Sequence, residues 1–185
     1  YQEYNGETQS VVDLGDQYAT LIASVDQLAG ALLAQHETLF ATVRAVRLEV
    51  QQFYTHYVDL YDLAQMLHAA IEDADVRAGA QAVMDAVNTV TLREMHGGFW
   101  PGAHGISIYF PAQASGWDSA YSGDSNYLAF TASTRWDEYL LAYLDLLSTC
   151  APDDYEPDDE PATASAFIPG DKSQRHSFCP TTDRY

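Results

Sequence analysis

Apolar residues recur every three or four positions along most of the chain, and one short stretch breaks that rhythm. Leu14, Tyr18, Leu21, Ile22, Val25, Leu28, Leu32 and Leu33 fall on one helical face. Asp13 before them carries a carboxylate suited to capping a first turn, so the spacing predicts a helix starting there. A second helix is predicted over 37–53, with Leu39, Phe40, Val43, Val46, Leu48 and Val50 inward; no Gly or Pro separates it from the first, so one continuous helix is an alternative. Asp59 is placed to cap a third helix running to Ile71, with Leu60, Leu63, Ala64 and Leu67 facing one way. Asp73 or Asp75 opens a fourth, with Val76, Ala80, Val83, Met84 and Val87 inward. Thr134 and Asp137 resemble a capping box before a last helix whose stripe is Trp136, Tyr139, Leu140, Tyr143, Leu144 and Leu147.

The exception is 105–110, where Ile106, Ile108, Tyr109 and Phe110 form a dense run of strand formers between Gly105 and Pro111. Ser10, Val11 and Val12 make a second short extended segment. The stretch 88–94 holds Val90 and Leu92 and is predicted to pair with 105–110 as a hairpin, through the turn-rich connection 95–102. The expected fold is therefore mainly α with a short β-hairpin, the helices packing around a buried strand on which Trp136 lies against Ile106 and Ile108. Residues 1–13 read as the end of a preceding core, 14–149 as the helical region, and 150–185 as an acidic tail or linker broken by Pro157 and Pro161.

At 185 residues and 47% apolar content the chain can bury a sizeable core. Its 27 acidic residues against 8 basic ones argue against nucleic acid as a partner and favour attraction of cationic ligands or a salty environment. No apolar run reaches the length of about 18 residues that spans a membrane. The opening Tyr1-Gln2-Glu3-Tyr4 reads as that of a fragment or processed product. Cys150 and Cys179 could form one disulfide or none.

Candidate chemistry is sparse. His104-Gly105 before Cys150 has the order of a His–Cys dyad, yet His104 precedes its strand and Cys150 borders carboxylates that disfavour a thiolate, so the pair is set aside and His104 is placed in a loop. His56 and His68 lie too far apart in sequence for a paired metal motif. A calcium site is conceivable in 118–126, which holds Asp118, Ser119, Ser122, Asp124, Ser125 and Asn126. Asp59 and Asp62, flanked by Tyr57 and Tyr61, could pair for acid–base work, but helix capping explains them more simply. Phe99, Trp100, Tyr109, Phe110, Trp117, Tyr127, Phe130 and Trp136 could cage a ligand, with core packing as the default.

Four segments carry a resemblance: Ser10-Val11-Val12-Asp13-Leu14, Tyr57-Val58-Asp59-Leu60-Tyr61-Asp62-Leu63, Gly105-Ile106-Ser107-Ile108-Tyr109-Phe110-Pro111, and Tyr127-Leu128-Ala129-Phe130 followed by Thr134-Arg135-Trp136-Asp137-Glu138-Tyr139-Leu140. In this order they resemble the C-terminal part of clostripain-like cysteine peptidases. The resemblance implies a helical region buttressing a caspase-like α/β core, in a secreted or extracytoplasmic endopeptidase that cleaves after Arg or Lys. It further implies a catalytic His and Cys N-terminal to everything here; no position of this chain matches that pair, so no catalytic, cofactor or metal residue is assigned. Its implied partners are the upstream core, covalent or associated, and basic peptide substrates; some members need calcium. A non-catalytic helical interaction module and a salt-adapted structural domain are the alternatives.

Overall fold

In order, the elements are β1 (Thr8–Val12), α1 (Tyr18–Ala34), α2 (His36–Glu49), β2 (Gln52–Tyr54), β3 (Tyr57–Asp59), α3 (Leu60–Ala70), α4 (Ala74–Val90), β4 (Thr91–His96), β5 (Ser107–Tyr109) and α5 (Trp136–Ser148). They come from a computed structural model that describes residues 8–148 apart from 14, 16 and 123–127. These residues are mainly helical, with two small antiparallel sheets, β1–β4 and β2–β3–β5.

The helix faces follow the apolar spacing. Leu21, Val25, Leu28 and Leu32 of α1 are buried, as are Leu60, Leu63, Ala64 and Leu67 of α3 and Val76, Ala80, Val83, Met84 and Val87 of α4. Helices α1 and α4 cross closely: a Cβ on Gly79 would stand 2.8 Å from Leu28 Cα, so only glycine admits this approach. Helix α4 also packs on α3, and α5 closes the bundle against α1 and α2. None of these helices is long and apolar enough to cross a membrane.

Helix starts divide by what each acid is bonded to. Asp59 and Asp73 cap as expected, Asp59 accepting from Asp62 N and Asp73 from Asp75 N and Val76 N. Asp13 does not: its own N–H donates to Val90 O, holding it in the extension of β1, and its carboxylate turns the chain by accepting from Gly15 N. The first helix consequently begins at Tyr18 rather than Asp13. Helices α1 and α2 are separate despite the lack of Gly or Pro, because Gln35 leaves helical geometry at φ −129°, ψ 22°. On α2 the inward side is Val43, Val46 and Arg47, whereas Leu48, expected inside, is 66% exposed. Arg47 sits one turn after Val43, and its guanidinium finds a buried acceptor in Phe110 O. Before the last helix the Thr134 hydroxyl accepts from Trp136 N at 3.4 Å and donates to Phe130 O at 3.1 Å.

Strand pairing departs from expectation. Residues 88–90 are the last turn of α4, because Val83, Val87 and Val90 keep helical spacing on the buried side. The following β4 pairs with β1, Ser10 opposite Glu94 and Val12 opposite Thr91, and not with the strand after Gly105. That strand, β5, pairs instead with β3, Val58 opposite Ile108 and Asp59 opposite Ser107. The hairpin of this fold is thus β2–β3, and 97–106 crosses from one sheet to the other. Gly105 makes the crossing at φ 104°, with Thr91 and Ser10 side chains so close that a Cβ would lie 2.9 Å from Thr91 Cγ2.

Strand β5 lies at the centre of the packing. Ile108, Tyr109 and Phe110 are buried together with Trp136, Tyr139 and Tyr143 of α5. Trp136 meets the strand at Tyr109 and Phe110, beyond the expected Ile106 and Ile108: its Nε1 donates to Tyr109 O and its ring meets Phe110 edge-on. The expected tail, 150–185, and the preceding-core residues 1–7 lie outside the described residues.

Candidate functional site

The start of α3 encloses a buried carboxylate. Asp59 ends β3 and caps the helix, and the crossing loop 102–106 lies over it, so its carboxylate is fully buried. Oδ1 accepts from Asp62 N at 2.9 Å and Oδ2 from His104 N at 2.7 Å. Leu60 N donates to Ile106 O at 2.9 Å, tying the same loop to the first turn. Burial pushes the Asp59 carboxyl above its ordinary value, opposed by these two N–H groups and by His104.

His104 stands over the same carboxylate. Its ring stacks on Tyr61 with centroids 4.3 Å apart, and Nδ1 lies 2.9 Å from Gly102 O and 3.3 Å from Asp59 Oδ1. A carbonyl oxygen only accepts, so Nδ1 carries a proton, which leaves Nε2 as the acceptor in the neutral ring. Asp62 completes the clasp through Gln51: its Oδ2 accepts from Gln51 N at 2.7 Å, while Gln51 Oε1 accepts from Gly102 N at 3.2 Å.

A histidine oriented by a buried carboxylate is the supporting half of a nucleophilic site. Both cysteines of the chain, Cys150 and Cys179, lie outside the described residues. What the geometry performs here is a clasp: Asp59, Asp62 and Gln51 pin 102–106 to the α3 N-terminus. Asp59 and Asp62 are brought together as cap and first-turn acid, and each carboxylate is engaged by main-chain N–H groups.

The aromatic residues separate into core and surface. Tyr109 and Tyr121 stack at 3.9 Å and 8°, the Tyr57 and Tyr121 hydroxyls share a hydrogen bond, and the Tyr109 hydroxyl donates to Gly116 O and accepts from Asp118 N. Trp100 packs on Phe53, whereas Phe99 is 72% exposed and belongs to no core. Tyr127 is outside the described residues.

In the loop considered for calcium, Asp118 Oδ1 already accepts from Ala120 N, and 123–126 lie outside the described residues. Among the described residues no three His, Cys, Asp or Glu side chains gather in a metal-binding group.

Two residues of the interior escape a sequence reading. Gln51 is a polar residue just past a helix end, with no pattern to mark it. Arg47 looks like a solvent-facing charge until its acceptor, 63 residues away, is known.

Set beside protein-family models, curated proteins and solved structures, the chain matches none of them.

Proposed function

We propose that this chain is the helical C-terminal region of a clostripain-like cysteine endopeptidase, supporting a caspase-like core that cleaves after Arg or Lys without itself supplying the nucleophile. The observation that carries the reading is the mutual contact of the four segments bearing the resemblance. Ser10 Oγ donates to Gly105 O at 2.7 Å, and Asp59 accepts from His104 N beside the third segment. Tyr57 stands opposite Tyr109 in the sheet, and Trp136 Nε1 donates to Tyr109 O at 2.8 Å. Residues scattered from 10 to 136 thus meet around one strand, as motifs that hold a fold together would.

The β1–β4 ribbon supports the same reading. Two strands alone are marginal in water. Val11, Leu92 and Met95 of this ribbon are each more than half exposed, and Phe99 just beyond it is more exposed still. A ribbon of this kind suits the margin of a larger sheet, in this reading the sheet of the catalytic core. The core's Cys thiolate would attack the peptide carbonyl with His as general base and then acid. The −19 formal charge favours approach of basic peptides, an effect that salt screens.

The test is to assay basic peptide substrates with this chain alone and with the chain joined to, or co-expressed with, its upstream portion. Activity is expected only in the second case, abolished by thiol alkylation and retained in Cys150→Ala/Cys179→Ala. Loss of activity in that double variant with folding intact would restore a nucleophile on this chain. An inactive combined protein would favour a non-catalytic interaction module.

A further inference from the structure

Arg47 is the most deeply buried cation among the described residues, at 2% exposure. Its Nε donates to Phe110 O at 2.6 Å, its Nη1 to Gln52 Oε1 at 3.1 Å, and its guanidinium carbon lies 5.7 Å from the Phe110 ring centre. The remaining nitrogen, Nη2, is buried and has no hydrogen-bond partner. No ion pair among the described residues involves Arg47.

Two more buried donors belong to rings packed on the same Phe110 ring. The hydroxyls of Tyr139 and Tyr143 on α5 are buried and unpartnered, and their rings lie 6.2 and 5.1 Å from the same Phe110 ring. Tyr143 is close enough to Arg47 for the two to interact electrostatically, and Arg44, one turn earlier on α2, adds a second positive charge. Tyr143 cannot itself provide the counter-charge at neutral pH. Burial raises its hydroxyl to about 12 even against the pull of the two arginines, so it remains a neutral donor.

A guanidinium deprived of water and of a negative partner is strongly disfavoured, and a water molecule would satisfy its N–H groups but not its charge. We propose that a small monovalent anion of the halide class binds against Arg47 Nη2 and the Tyr143 hydroxyl, beside the Phe110 ring. The site is local: a chain of net charge −19 repels anions elsewhere. It stands independently of any peptidase role, because every residue involved belongs to the packing of α2, β5 and α5.

The test is thermal unfolding of the full chain in gluconate, chloride and bromide at equal ionic strength of about 0.2 M. A bound halide raises the melting temperature by about 2–4 °C over gluconate. Tyr143→Phe should keep the gluconate melting temperature and lose most of the halide increment, and Arg47→Met should lose all of it. Should Arg47→Met fail to fold, Tyr143→Phe and the anomalous signal of bromide in crystals decide. Bromide beside Arg47 supports the site. Equal melting in gluconate and halide, an undiminished increment in the variants, or an adventitious ion only, bound elsewhere, would overturn it.

Discussion

Trp136 Nε1 donates to the main-chain carbonyl of Tyr109 across 2.8 Å, joining the first turn of α5 to the end of β5. The indole is 1% exposed and packs edge-on against Phe110 at 5.7 Å. Trp136→Ala is therefore expected to cost about 3–5 kcal/mol, from lost burial, a cavity and an orphaned carbonyl. Trp136→Phe should lose less, because it removes the donor while keeping most of the ring. Urea denaturation of both variants checks the ordering; a Trp136→Ala protein as stable as its parent would mean that α5 does not dock on the strand.

A second expectation concerns Asp59, which serves α3 and the 102–106 loop at once. Asp59→Ala should destabilise by about 1–3 kcal/mol, since it removes a cap and leaves His104 N without an acceptor. Burial raises the folded-state pKa of this carboxyl above its ordinary 3.8. The sign follows from linkage: the folded state holds the proton more tightly, so the stability gained from Asp59 is full below the unfolded value and declines as pH rises through the folded one. The gap between parent and Asp59→Ala should accordingly be widest at acid pH. Denaturation curves from pH 3 to 7 would reveal a gap that widens with pH if the carboxylate were instead favoured by its surroundings.

Asp26 and Arg135 make the opposite case. Arg135 Nη2 and Nε reach the two Asp26 oxygens at 2.7 and 2.8 Å, and the Arg135 main-chain N–H adds a third bond at 2.9 Å. The hydrogen bond from the Arg135 side chain is the chief reason that Asp26 lies below its ordinary value. Its contribution is present above that ordinary value and is lost as pH falls through the depressed one. Because the pair is partly exposed, a double-mutant cycle with Asp26→Asn and Arg135→Gln should give a coupling of only about 0.5–1 kcal/mol at neutral pH. That coupling should shrink in high salt and be lost as pH falls through the depressed Asp26 value; a coupling indifferent to both would show that packing, not charge, joins α1 to α5.

The crossing of α1 and α4 yields a fourth expectation. Gly79→Ala puts a methyl group 2.8 Å from the Leu28 main chain, which cannot rotate away as a side chain could. The helix-propensity gain of alanine, about 1 kcal/mol, should be outweighed by overpacking of about 1–3 kcal/mol. A Gly79→Ala protein that melts higher than its parent would show that the two helices have room to part.

How far a sequence betrays such a fold depends on whether the signal is local. The buried faces of α1, α3, α4 and α5 follow from apolar residues three and four apart, and the caps at Asp59 and Asp73 act on N–H groups within three residues. Strand pairing has no such locality. β3 and β5 are three residues each and meet across about fifty intervening positions, so the nearest apolar run, 88–94, looks a better partner than the real one. The same limit hides the clasp: that Asp59 meets His104 is a consequence of the β3–β5 register, and Gln51 and Arg47 acquire their roles from acceptors supplied by that sheet. Asp13 shows the converse, a good cap by type that a hydrogen bond to Val90 O holds in the strand.

The open β1–β4 ribbon has a cost for the chain when it is handled by itself. Strand margins with exposed Val11, Leu92 and Met95 are templates for pairing with other copies, the usual first step of β-mediated aggregation. What opposes this is mutual repulsion between molecules that each carry a formal charge of −19. That protection is long-ranged and is removed by salt, whereas strand pairing is short-ranged and is not. Colloidal stability of the chain should thus fall, not rise, as ionic strength is raised, and purification in dilute buffer above neutral pH should limit such association.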